Sequence, residues 1–237
     1  MTAARRRALI IILVAASLVI AIMIAAGRPS DRTAEKPVLL LLTSLPLVFG
    51  EEFGLQDSGS PALIAISARF RVTPISTTGP NELARGGLLL MAQPPAQAPE
   101  NLVALDEWVR RGGRALLLAD PMLEWPGKRP LGDPLRPPPM FTDTGLLAHW
   151  GLRLDAPDRR GPALRRLGGK AILTMSPGSL HGSCAINRDR FVADCRIGKG
   201  WVMIVADADL LNVAALGDGA NGNLAGIAES LAALSNK

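Results

Sequence analysis

Apolar residues along this chain come in short blocks, and the spacing within them alternates between a strand pattern and a helix pattern. Val38 to Leu42 is continuous and stops at Thr43, Ser44 and Pro46, the pattern of a strand covered on both faces. Ser60 and Pro61 form a helix start ahead of a stripe made by Leu63, Ile64 and Phe70, and Arg71 to Ile75 reads as a second strand. Leu88 to Ala92 gives a third strand. Pro99 opens a helix that gathers Leu102, Leu105, Trp108 and Val109, Gly112 and Gly113 end it, and Ala115 to Ala119 follows as a fourth strand.

Between Trp125 and Pro139 six prolines and two glycines prevent regular structure, so this stretch is expected to be an exposed loop. Thr142 or Asp143 then caps a helix carrying Leu146, Leu147 and Trp150, which Gly151 stops. Ala171 to Met175 and Trp201 to Ala206 read as further strands, and Leu224, Ile227, Leu231 and Leu234 place a last helix at spacings of three and four. Alternating strands and helices joined by short connections predict an α/β domain: a three-layer, flavodoxin-like, mostly parallel sheet with helices on both faces.

Ahead of this domain, Ala8 to Ala26 contains no charged residue and follows Arg5, Arg6 and Arg7 directly. As a helix it reaches about 28 Å, enough for the hydrocarbon core of a bilayer. A cleaved secretory leader needs small residues at positions −3 and −1, and Ile24 or Met23 stands at −3 here, so an uncleaved anchor is expected. The division that follows is a basic cytoplasmic tail at 1–7, a transmembrane anchor at 8–26, a polar linker at 27–36 and an α/β domain at 37–237. The arginines before the span favour an inside N-terminus, hence a single-pass protein of a bacterial inner membrane with its domain in the periplasm.

Charge separates the two parts. Of the net +5, residues 1–36 carry +4, with six Lys/Arg against two Asp/Glu, which leaves the domain at +1. A nearly neutral domain with no basic run gives no support for nucleic-acid binding.

The run from Leu88 to Pro121 (LLLMAQPPAQAPENLVALDEWVRRGGRALLLADP), then GLLAHWGLRLD (Gly145 to Asp155), then ADADLLN (Ala206 to Asn212), resembles the gliding-motility-type auxiliary domain of uncharacterised ABC transport systems. It is also similar to related membrane-anchored domains of unknown function with a class I glutamine-amidotransferase-like fold. The resemblance implies a non-catalytic accessory role beside membrane-protein partners, the transporter subunits. Many members of that group carry a second membrane span near the C-terminus, and none is present before Lys237. A working amidotransferase needs a cysteine nucleophile on a strand-to-helix turn with a histidine base. The third and fourth strands end instead in Gln93-Pro94 and Asp120-Pro121, and both cysteines lie far downstream.

Cys184 and Cys195 flank a polar NRDR segment whose centre lies midway between them. Cysteines equidistant from a hairpin turn face each other, so a disulfide is expected, stabilising the fold by about 3 kcal/mol in the chain-entropy account. Buried free thiols are the other reading. Metal or redox work lacks a CxxC or a Cys/His cluster, since His181 is the one histidine nearby.

The remaining polar candidates follow apolar blocks: Thr43, Ser44, Gln93, Asp120, Asp207 and Asp209. The carboxyl ends of strands line the ligand crevice in open α/β sheets, so these six are candidates for a binding cleft. Its three carboxylates suit a cation or a basic group, yet turn support and capping explain the same residues, and we favour that plainer reading. No metal and no cofactor is assigned.

Ser176, Ser179, His181 and Ser183 lack the GxSxG elbow of a serine hydrolase. His149 reads as a partly buried structural histidine, Asp106 and Glu107 as a solvated helix face, and Trp108, Trp150 and Trp201 as core, which leaves Trp125 in the proline loop as the candidate partner contact. The expected function is a non-catalytic binding module of an envelope transport assembly. The alternative is a periplasmic hydrolase-like enzyme working through a strand-end aspartate or the Ser/His loop.

Overall fold

Five of the apolar blocks lie side by side as parallel strands: β1 (Val38–Thr43), β2 (Arg71–Pro74), β3 (Leu88–Ala92), β4 (Arg114–Leu118) and, last in sequence, β11 (Gly200–Val205). The computed structural model describes residues 36–48, 59–127, 129, 130, 132, 133 and 135–237, and 36–237 form one compact unit. The strand order β2-β1-β3-β4-β11 is that of a flavodoxin-like doubly wound sheet, and β10 (Val192–Ile197) and β9 (Ala185–Ile186) extend it by antiparallel pairing. Leu39 to Leu42, all of β3 and Ala115 to Leu118 are buried, as strands covered on both faces must be.

Helices supply the covering layers. Ser60 Oγ accepts from the Leu63 amide and Pro61 sits in the first turn of α1 (Pro61–Arg69), so this helix begins where the sequence places it. The chain steps one way across the sheet from β1 to β2 and the other way from β3 to β4. Right-handed crossovers therefore put α1 and α3 (Pro99–Arg110) on opposite faces. The C-terminal α6 (Asn223–Ser235) packs beside α1, burying Ile227, Leu231 and Leu234, while α3 buries Leu105 and Val109 and packs on β11 and on the short α2 (Pro80–Leu83).

Residues 152–186 depart from the expected alternation. The block at 171–175 becomes β7 (Lys170–Met175), which pairs with β6 (Pro162–Leu167) in a separate hairpin rather than joining the parallel sheet. Its two-residue turn is Gly168-Gly169, at φ 55° and 76°, a backbone that glycine adopts without steric cost. Another antiparallel pair joins β5 (Leu152–Asp155) to β8 (Ser179–Gly182). The helix expected from Thr142 or Asp143 shrinks to one turn, α4 (Leu146–His149). Gly145 at φ 94° precedes it, with Asp143 Oδ1 accepting from the Gly145 and Leu147 amides at 3.0 and 3.4 Å. A last one-turn helix, α5 (Val213–Leu216), precedes α6.

The disulfide is present. Ala185 pairs with Asp194 across β9 and β10, which sets Cys184 opposite Cys195 at a Cα separation of 5.0 Å. Closing a loop between residues 11 apart cross-links the outermost antiparallel strands of the sheet.

The expectation of a transmembrane helix before the domain, and with it the inner-membrane and periplasmic placement, is corrected. No helix among the described residues is long and apolar enough to cross a membrane. The segments at 1–7, 8–26 and most of 27–36 lie outside the described residues, so the placement has no structural basis and is not carried further.

Candidate functional site

The strand-end residues divide into a structural set and a carboxylate set. Thr43 Oγ1 donates to the Ala92 carbonyl at 2.7 Å and accepts from the Leu45 amide at 2.9 Å, and Ser44 Oγ donates to the Gln93 carbonyl. These bonds close the gap between β1 and β3, which is the switch point where doubly wound sheets usually leave a crevice. Gln93, at φ 42° and fully buried, is equally committed. Its Oε1 accepts from the Asp120 amide at 3.0 Å, and its Nε2 donates to the Asp120 and Pro138 carbonyls at 3.3 and 3.1 Å. It therefore clamps β3, the end of β4 and the proline loop together.

Asp120, Asp207 and Asp209 do converge. All three are buried, at no more than 3% exposure, and one carboxylate oxygen of each lies within 4.8 Å of the others. Asp120 leaves the end of β4 and accepts from the Met122 amide through Oδ1 and from the Ala208 and Asp209 amides through Oδ2. Asp207 leaves the end of β11, and its Oδ1 accepts from Thr174 Oγ1 and from the Leu210 amide. Asp209 Oδ2 accepts from the Glu124 amide at 2.8 Å, and Glu124 Oε1 in turn accepts from Ser176 Oγ.

Loss of water around these groups disfavours ionisation, and their mutual repulsion adds to it. Asp120 is pushed up to about 6 by burial, with three backbone amides pulling the other way and the charge of Glu124 adding to the rise. Asp209 is pushed up to about 7 by burial and by Asp120. Asp207 is raised well above the usual carboxylate range by burial and by Asp120. Beside this group a cleft of about 210 Å³ is lined by Asp209, Glu124, Asn212 and Met175, so Asp209 is the cluster member that meets open space.

Thr174 and Glu124 were missed by sequence reasoning, and Ser176 was weighed only as part of the Ser/His loop. Glu124 stands four residues after Asp120 at the start of the proline loop, a signal of proximity too weak to use, and the other two reach the site only through the β6–β7 hairpin. A second cleft, of about 440 Å³, was not anticipated either. Arg159, Arg160, Arg165 and Arg190 line it together with Asp158 and Asp189.

The Ser/His loop is not assembled for catalysis. Ser179 Oγ is 3.4 Å from His181 Nε2, and Asp155 Oδ2 is 3.2 Å from that same nitrogen. A relay needs the serine and the carboxylate on different ring nitrogens. Ser176 is spent on Glu124 and the Gly161 amide, and Ser183 lies 3.4 Å from the Gly151 carbonyl.

Other single-residue expectations are met unevenly. Trp125 is half-buried, lining a small cavity with Leu123, Arg136, Pro137 and Pro139 of its own loop. The Leu123 amide donates to the Pro139 carbonyl at 2.9 Å and closes the base of that loop, whose described residues are exposed or half-buried as expected. His149 is exposed rather than partly buried, with Nε2 3.3 Å from Asp106 Oδ2. Asp106 is no free solvated acid, for it accepts from Trp150 Nε1 at 2.9 Å and Arg110 Nε at 2.7 Å. Trp150 is buried as expected, whereas the half-buried Trp201 lies beneath Lys237 Nζ, 4.1 Å from the ring centroid.

No protein-family model and no curated sequence matches this chain. Solved structures do resemble it in shape. An exo-β-1,4-mannosidase from Opitutaceae bacterium strain TAV5 gives a TM-score of 0.51 at 12% identity, over 85% of this chain and 36% of that one. A cytoplasmic protein from Salmonella typhimurium gives 0.49 at 9% identity, over 84% and 97%. A putative ThuA-like protein from Bacteroides uniformis gives 0.42 at 10% identity, over 84% and 92%. The chain thus spans about a third of the mannosidase's length. At such identities the likeness is one of fold alone, a mixed α/β fold with a parallel sheet.

Proposed function

We infer that this chain is a non-catalytic binding module serving an ABC-type transport assembly, as its sequence resemblance implies, with the carboxyl ends of β4 and β11 as its ligand-facing part. One observation carries the non-catalytic half. At the ends of β3 and β4, where an amidotransferase-like fold would mount a nucleophile, the side chains are Gln93 and Asp120, and both are consumed in holding backbone. A group pinned by two or three hydrogen bonds and closed off from water lacks the reach that attack on a substrate requires.

The second reading, a hydrolase working through a strand-end acid, is favoured by one feature. Asp209, pushed up to about 7, lines the same open cleft as Glu124. A carboxyl near neutrality at a cleft is the environment of a general acid.

Turnover assays separate the two. The purified chain should leave glutamine, nitrophenyl esters and nitrophenyl glycosides unhydrolysed. Hydrolysis of any of them that Asp209→Asn abolishes, with the fold intact by circular dichroism, would establish the enzyme instead. The transport half predicts ABC permease and ATPase genes beside the coding gene, and stoichiometric co-purification with their products on co-expression. Their absence from the neighbourhood removes that half.

A further inference from the structure

Among the described residues, the carboxylate cluster contains one acceptor without a hydrogen-bond partner. Asp207 has no exposed surface, its Oδ1 is taken by Thr174 Oγ1 and the Leu210 amide, and its Oδ2 is buried without a hydrogen-bond partner. Carboxylate oxygens in protein interiors are almost always paired, because an unpaired one forfeits its hydration with nothing in return. Among the described residues no lysine, arginine or histidine forms an ion pair with Asp120, Asp207 or Asp209. Three buried acids with no cation paired to them among the described residues is an incomplete arrangement.

We propose that the missing partner is a divalent metal ion: carboxylate oxygens of Asp207, Asp120 and Asp209 form a site for a hard cation of the calcium and magnesium class, reached from the cleft that Asp209 and Glu124 line. The donor set is oxygen only, without sulfur or imidazole, and such sets select these ions over zinc or copper. Spacing agrees as well. Calcium–oxygen distances of about 2.3–2.6 Å place opposite ligands about 5 Å apart, so oxygens within 4.8 Å of one another are close enough to share one such ion. The backbone amides already bound to Asp120 and Asp209 hold those carboxylates in place, as outer partners of metal ligands do.

Such an ion would tie the end of β4 and the first turn of the proline loop to the end of β11. The inference is independent of the transport reading, and it stands whether or not the chain has a partner.

The test uses the full chain, freed of metal by EDTA and dialysed. Titration calorimetry with calcium chloride and with magnesium chloride should show one ion bound per chain for at least one of them. At a hundredfold excess over Kd that ion should raise Tm by about 5–10 °C. Asp207→Asn should weaken binding at least tenfold, yet melt no lower than the metal-free parent, since it removes a buried charge. If Asp207→Asn does not fold, Asp209→Asn is read for the same loss of binding. Absence of both heat and Tm shift with 10 mM of either ion on the folded parent overturns the proposal, with protons then filling the cluster. An equal response from the parent and both variants overturns it too.

Discussion

Acidification should stabilise this protein in the absence of divalent ions, opposite to the usual behaviour of buried carboxylates that are ion-paired. Asp120 is pushed up to about 6 and Asp209 to about 7, against 3.8 for an unhindered aspartate. The native state therefore holds protons that the unfolded chain has released, so stability falls as pH rises through the native pKa values and is recovered as pH drops below them. Between pH 8 and pH 5 Asp120 alone accounts for about 1.4 kcal/mol in favour of the folded state, by linkage from its two pKa values. Asp209 acts in the same direction, but a proton on either acid relieves the repulsion on the other, so the two do not add in full. The expected total is about 3 kcal/mol, which moves a urea midpoint by about 1–2 M. Asp106 and Asp155 are both held below 3.8, so they titrate outside this window.

The assay is urea unfolding in EDTA at pH 5, 6, 7 and 8, followed by circular dichroism. Asp120→Asn is the companion, because it removes one of the two titrating acids together with the charge that raises Asp209, and should flatten the profile. A midpoint that is constant, or that falls on acidification, would refute the claim that these carboxylates are buried together without a compensating charge.

Three further outcomes follow from the packing. The double substitution Cys184→Ala with Cys195→Ala should cost about 3 kcal/mol, the chain-entropy value for a loop of this length, and lower Tm by about 6–12 °C in a thermal melt. Gln93→Leu leaves the buried Asp120 amide without its acceptor, so a loss of about 1–3 kcal/mol is expected in chemical denaturation, with faster proteolysis in the proline loop that Gln93 pins. Gly200→Ala would set a Cβ 2.1 Å from the Val109 carbonyl oxygen and 2.3 Å from that of Gly113, so β11 must shift against α3, lowering stability by about 1–3 kcal/mol in the same assay.

Sequence alone determined the elements whose cause is local. Continuous apolar runs such as VLLLL and LLLMA announce doubly covered strands because burial on both faces leaves no place for polar residues, and Ser60-Pro61 announces a helix start because its capping bond spans three residues. The cysteine pairing was legible for the same reason, since equal distance from a turn is a sequence property. Tertiary structure decided the rest. The hairpin at 162–175 left the sheet because its half-exposed strands satisfy each other, which a period-two pattern in one strand does not disclose. Whether Asp120 meets Asp207 and Asp209 depends on β4 and β11 being neighbours across some eighty residues of intervening chain, and whether Thr43 and Ser44 stay open depends on how closely β1 approaches β3. The residue types at strand ends can be read from the chain, but distance, burial and the unpaired oxygen on Asp207 arise only when separate strands are brought side by side, because solvent exclusion and charge repulsion are properties of that assembled neighbourhood.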